Sequence, residues 1–300
     1  MDAKACLRSM RLRTLPLSLS GIVLGVLLAV RSHDFRFLTV ILLALTTVSL
    51  QILSNLSNEL GDTLSGTDRT DRQGIHYSIQ DGLMTIPEMK RLIGCFAVLS
   101  CLLGFGMVWS AFGTVLAPLP LAFLALGAAA VWAAMHYTLG KHPYGYRGLG
   151  DIFVFIFFGL ATVCGGYFLT CLEWDWRILL PAAAIGCFSV GVLNVNNIRD
   201  MKSDAATRVT VALRMGERRA RIYQTVLVAA GWMLMTVYAL LPPLSPWHFL
   251  YVLSVFGFVR HLKGVWTLKD RDLDPMLPLL VLSSFLFCLL AGLGFVIYLF

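Results

Sequence analysis

Charge is what this 300-residue chain has least of. Only 14% of its residues are charged, and the 17 acids are fewer than the 24 bases. A soluble globular domain carries about 25% charged residues, so the shortage excludes a soluble α/β enzyme. The sequence also lacks a clear small-x-small cleavage site after its first apolar run, "RLRTLPLSLSGIVLGVLLAV", and similar runs follow, so that run is not a cleavable leader. None of the seven cysteines pairs at metal-ligand spacing, and they read as small apolar packing residues. His136 and His142 have no neighbouring Cys or His to complete a metal pair. Charges are missing from the middle of the apolar runs. This argues against a transporter, which would place polar groups or broken helices at the bilayer midplane.

What is present is hydrophobicity. Apolar residues make up 58% of the chain, and the mean hydropathy is +0.76. Runs of roughly 20 apolar residues recur along the whole length, so the expectation is an all-α, polytopic membrane protein. About nine spans can be drawn, at 14–30, 37–57, 92–113, 115–136, 150–171, 178–197, 222–241, 247–261 and 276–299. The eighth is short. With this division, 21 of the 24 Lys and Arg fall on the side of the N-terminus, leaving only Arg31, Arg36 and Arg177 opposite. The positive-inside rule then puts the N-terminus in the cytoplasm of a cell membrane. The net charge of +7 is read as this signal and not as a nucleic-acid surface. Residues 1–300 form one transmembrane domain with two cytoplasmic Asp-rich loops, 58–91 and 197–221.

Two polar clusters stand out against this background. In "NLSNELGD" (55–62), Asn55, Asn58 and Asp62 are spaced i, i+3, i+7. In "NNIRDMKSD" (196–204), Asn197, Asp200 and Asp204 repeat that spacing. Residues at these offsets share a helix face. Each cluster ends an even-numbered span, so both reach the cytoplasmic side. Asn and Asp are common at helix ends, but two matching clusters at equivalent membrane depth point to a site. Hard oxygen donors of this kind suit Mg²⁺, which is held by one or two carboxylates plus substrate phosphates. Opposed carboxylate faces can bridge a diphosphate through such ions, with Lys202 and Arg208 completing its neutralisation.

At these residues the sequence resembles the UbiA-type membrane prenyltransferases, which carry Asp-rich motifs written N-D-x-x-D and D-x-x-x-D. The second is intact as Asp200 and Asp204; the first reads Asn58-Glu59-Leu60-Gly61-Asp62, with Glu in place of the first Asp. "RTLPLSLSG" (13–21), "PYGYRGLGDIFVFIFFGL" (143–160) and "VALRMGERRA" (211–220) are similar to the branch that prenylates 1,4-dihydroxy-2-naphthoate in menaquinone synthesis. Two departures are Arg11-Leu12-Arg13, where that motif usually has Arg-Pro, and Thr207-Arg208-Val209-Thr210, which keeps a cation but loses a Gly.

The resemblance implies a Mg²⁺-dependent transfer of a polyprenyl group from polyprenyl diphosphate to an aromatic acceptor. For this branch the acceptor is dihydroxynaphthoate, which loses its carboxylate to give demethylmenaquinone; 4-hydroxybenzoate and homogentisate are the competing acceptors. It implies a central cavity open to the cytoplasmic side, with the prenyl tail reaching membrane lipid. Asn58, Asp62, Asp200 and Asp204 are the expected catalytic and metal-binding core, with Asp68 joining through the "SGTD" turn. Arg13, Lys202 and Arg208 are the expected diphosphate contacts, and Tyr137, Lys141, Tyr144 and Arg147 the candidate acceptor contacts. Lys or Arg would pair with the acceptor carboxylate, and a Tyr or Asp151 would assist deprotonation of a ring hydroxyl.

Overall fold

A computed structural model describes residues 2–30, 35–66, 77–205 and 207–299. Among these the chain is all-helical; its one extended feature is an isolated parallel bridge between Arg147 and Val209. In chain order the helices are α1 (Ala3–Ser9), α2 (Leu15–Ala29), α3 (Phe37–Leu64), α4 (Ile86–Phe112) and α5 (Pro118–His136). They continue as α6 (Gly150–Cys171), α7 (Leu179–Arg199), α8 (Met201–Asp204), α9 (Val211–Met215), α10 (Glu217–Leu240), α11 (Val255–Thr267) and α12 (Met276–Ile297).

Eight helical stretches among the described residues are long and apolar enough to cross a membrane. Eight of the nine drawn spans correspond to these. The short eighth span, 247–261, instead begins as a 3₁₀ helix, Pro246–Ser254, which passes directly into α11. Ser245 caps it and Pro246 supplies the preset φ of a first turn. The helix ends elsewhere follow local chemistry. Thr85 and Glu88 form a reciprocal capping box at the start of α4, and Gly113, at φ +69°, ends it.

Burial ranks the helices. The stretch containing α7 is 72% buried, whereas α5 is 11% buried and sits at the rim. The largest core gathers around α7: Phe188 packs its ring at 4.7 Å from Phe258 and 5.1 Å from Phe287, and Trp232 and Tyr251 join them. A second core joins α1, α3, α4 and α5 through Leu53, Leu56, Leu60 and Met89. Between the two halves α6 changes from α to π hydrogen bonding over Phe155–Ala161. Such bulges rotate everything that follows them in the helix. At its crossing with α7, Gly159 lies so close to Gly186 that a Cβ would meet the Gly186 Cα at 2.5 Å.

Candidate active site

The C-terminal ends of α3 and α7 meet at one end of the bundle. They border a cavity of about 520 Å³ that runs from this polar mouth between α5 and α6. Its walls deeper in are apolar, including Leu43, Phe105, Leu124, Phe157 and Leu169. Tyr144 stacks on Phe153 at 3.9 Å near the mouth, and Phe123 stacks on Phe168 at 5.6 Å at the far end.

Gly61 sets the first motif in place. A Cβ there would lie 2.5 Å from the Thr138 Oγ1 and 2.7 Å from its carbonyl oxygen, so α3 presses its backbone against the turn after α5. The Thr138 hydroxyl then donates to the Ser57 carbonyl at 2.9 Å and lies 3.3 Å from the Asn58 Oδ1. Asp62 is buried and accepts a 2.7 Å hydrogen bond from Tyr146. Asn55, on the same face, has another task. Its amide donates to the Met10 carbonyl and the Thr14 hydroxyl, which fastens the segment before α2 across the mouth. In that segment Arg11 adopts a left-handed conformation (φ 50°) and stacks on Tyr77 at 3.7 Å. Its Nε and Nη2 are buried at the cavity wall without a hydrogen-bond partner among the described residues. Left-handed backbone at a non-glycine is strain of the kind found at functional sites.

The second motif is organised by two arginines. After Asp204 the chain turns, with the Asp204 carbonyl accepting from the Thr207 and Arg208 amides, and Arg208 folds back over the motif. One guanidinium nitrogen lies 2.9 Å from Asp204 and another 3.8 Å from Asp62, with side chains 7% exposed or less. Arg208 therefore bridges the two motifs. Burial opposes its charge, but Asp62 and Asp204 outweigh that and hold its pKa above the usual arginine value. Arg199 grips Asp200 through two bonds of 2.8 and 2.7 Å and also pairs with Asp274. Asp274 lies 3.8 Å from Arg13. Asn58, Asp62, Arg13, Arg199 and Arg208 line the cavity, while Asp200 and Asp204 sit behind the arginines that cover them.

Not every expected residue arrives here. Lys202 points outward, 74% exposed, and pairs with Asp270 at 2.7 Å. The reason is helical: position i+2 from Asp200 faces away from the i and i+4 positions. Lys141 and Arg147 are exposed and outside the cavity wall; the Arg147 carbonyl accepts from Arg214. Asp151 pairs with Tyr223 instead of facing the cavity. Asp68 lies outside the described residues. Glu59, the departure in the first motif, turns away from the cavity and accepts from the Ile79 amide at 2.9 Å. Tyr137 and Tyr144 do line the cavity. Burial pushes the pKa of each upward, so their hydroxyls are hydrogen-bond donors at neutral pH and not bases. Arg11, Tyr77, Tyr146, Thr138 and Asp274 complete the mouth. From the sequence, Arg11, Thr138 and Asp274 carry no site role, whereas Tyr77 and Tyr146 fall in stretches tied to substrate contacts. Tyr146 sits within "PYGYRGLGD", a stretch already tied to the naphthoate branch.

Residues 18–289 match the sequence profile of the UbiA prenyltransferase family. The chain belongs to the UbiA prenyltransferase family. UbiA relatives include the 1,4-dihydroxy-2-naphthoate octaprenyltransferase of Escherichia coli K12, 38% identical over 91% of this chain and 87% of that protein. The Haemophilus influenzae protein of the same name is 36% identical over 96% of this chain and 94% of its own length. Solved UbiA folds are similar throughout. A UbiA homologue of Archaeoglobus fulgidus, bound to GPP and Mg²⁺, aligns with a TM-score of 0.69 at 18% identity, over 99% of this chain and all of its own. The apo UbiA homologue of Aeropyrum pernix K1 aligns with a TM-score of 0.70 at 16% identity, over 97% of this chain and 99% of its own.

Among the described residues, no three carboxylate, imidazole or thiol side chains converge as a metal cage. The donor set is what Mg²⁺ uses when it arrives with a phosphate ligand: carboxylates and an amide from two chain segments, Asn58 and Asp62 open to the cavity and Asp200 and Asp204 behind Arg199 and Arg208. The residues present fit such an ion in that form.

Proposed function

We propose that the chain transfers a polyprenyl group from polyprenyl diphosphate to 1,4-dihydroxy-2-naphthoate. The acceptor carboxylate is lost, and the product is the reduced form of demethylmenaquinone. The observation that carries this reading is the meeting of the two Asp motifs on Arg208 at the mouth of an apolar cavity. Two relatives at 36–38% identity over most of the chain, both named for this reaction, support the choice of acceptor. The site and the N-terminus face the cytoplasm of a cell membrane, as the arginine-rich loops suggest. Residues 1–300 act as one transmembrane domain, with the Asp-rich loops 58–91 and 197–221 on that side.

Asn58, Asp62, Asp200 and Asp204 are the residues that would hold Mg²⁺, with Asp68 as a further candidate. When bound, Mg²⁺ neutralises charge on the leaving diphosphate. The chain's own contribution is cationic and apolar. Arg13, Arg199 and Arg208 offer guanidinium groups to the diphosphate oxygens as the allylic C–O bond breaks and its electron pair leaves with the diphosphate. The wall of Phe153, Phe157 and Phe158 keeps water from the resulting allylic cation. Tyr137 and Tyr144 orient the acceptor near the mouth. The gap between α5 and α6 lets the tail lie towards lipid.

The test is turnover by the purified protein with a polyprenyl diphosphate and dihydroxynaphthoate, 4-hydroxybenzoate or homogentisate in parallel. Prenylated, decarboxylated product from dihydroxynaphthoate is expected. Preference for another acceptor would overturn the assignment.

A further inference from the structure

We propose that this site takes its divalent ion only as a diphosphate complex, because Arg208 occupies the place between the two motifs until a diphosphate draws it away. The proposal rests on the metal–diphosphate reading above and deepens it.

Three observations carry it. First, the Arg208 guanidinium lies between Asp62 and Asp204, at 3.8 and 2.9 Å, and so cross-links the two motifs as a bridging cation would. Second, all three side chains are almost fully buried, with exposures of 7, 5 and 1%. A divalent ion approaching Asp62 or Asp204 alone therefore meets a fixed positive charge that water does not screen. Third, protein donors alone do not converge as a cage among the described residues. An ion held by few protein donors fills its remaining positions with water and substrate phosphate oxygens.

A diphosphate resolves the conflict from both sides. Its oxygens complete the coordination of the ion. They also provide a doubly hydrogen-bonding anionic partner for the displaced guanidinium, which matches phosphate geometry better than an ammonium would. Arg208 rotates from carboxylate to phosphate and stays in the site. Tyr146 lies beneath the path, with its ring 5.5 Å from the guanidinium and its hydroxyl on Asp62. The expected consequence is ordered loading: the metal with its diphosphate, never the bare metal first.

The experiment measures Mn²⁺ retention by the full-length protein in detergent, using equilibrium dialysis with and without methylenediphosphonate. Values are corrected for the complex formed in solution. Wild type is expected to hold Mn²⁺ at least tenfold more tightly with the diphosphonate. Arg208→Gln is expected to bind Mn²⁺ alone at least tenfold more tightly than wild type, while Arg208→Lys stays close to wild type. Size-exclusion profiles and melting curves check that the variants are folded. If Arg208→Gln does not fold, the wild-type pair of measurements decides. Equal Mn²⁺ affinity of wild type with and without diphosphonate overturns the arginine's role and leaves the metal–diphosphate function standing, as does a folded Arg208→Gln with unchanged affinity. No retention in any arm overturns that function and this inference with it.

Discussion

Replacing Gly61 by Ala adds one methyl group at the point where the first motif leans on the turn after α5. The new Cβ would stand 2.5 Å from both the Cβ and Oγ1 of Thr138 and 2.7 Å from its carbonyl oxygen. Ordinary contact begins near 3.4 Å, so the two segments must separate by about 1 Å. Overpacking of this kind costs about 1–3 kcal/mol. The larger effect should be on turnover. Asn58 and Asp62 flank Gly61 on the same helix, and a shift of about 1 Å in reacting groups can cost about 100-fold. Melting temperature and kcat/KM for prenyl transfer should both fall in the purified variant, the second far more than a global loss of folded protein explains. Gly94→Ala is the control, since nothing lies within 4 Å of its Cβ; it should leave both quantities unchanged. Gly61→Ala/Thr138→Gly removes the side-chain clash but leaves the carbonyl contact, so it should recover part of the loss. A Gly61→Ala protein with wild-type melting and turnover would refute the idea that this close approach positions the motif.

Asp62→Asn and Asp200→Asn should each abolish transfer while the protein remains folded in membranes; near-normal turnover in both would sink the metal assignment. Tyr146→Phe deletes the 2.7 Å bond to Asp62. A hydrogen bond to a charged group is worth about 1.5–3 kcal/mol, so kcat/KM should drop about ten- to a hundredfold in steady-state assays. Lys202→Ala should keep activity within twofold in the same assay, because its exposed pair with Asp270 lies outside the cavity.

Much of this could be read before the fold was known, for identifiable reasons. Membrane helices declare themselves by apolar length, because lipid admits only helices and closed barrels and runs of about 20 apolar residues fit the helix. The i, i+3, i+7 spacing marks two clusters that Arg208 bridges through Asp62 and Asp204; the first lies within α3, and the second runs from the end of α7 through Asp200 into α8. Side-chain direction beyond those ends was harder. Lys202 and Arg208 share one loop, yet Lys202 points to solvent and Arg208 enters the site. Helical geometry alone could have excluded Lys202. The turn that folds Arg208 back onto Asp204 leaves no comparable pattern. Glu59 occupies a motif position and departs from it by one methylene. Its contact with Ile79 depends on a turn 20 residues further along. The eighth span already stood out by its shortness; the 3₁₀ geometry of its start leaves no pattern of its own.

The π-helical stretch in α6 makes the cavity a collar followed by a sleeve. Phe153 precedes that stretch, Phe157, Phe158 and Ala161 lie within it, and Thr162 and Gly165 follow it along the cavity wall. One additional residue in a helix turns the remainder by about 100°. No atom lies within 4 Å of where a Gly165 or Gly127 side chain would start. The sleeve is therefore kept wide by absent side chains at these two lining positions. Removing one residue from 155–161 would turn the small face aside and shorten the room for an isoprenoid tail, leaving the charged mouth intact.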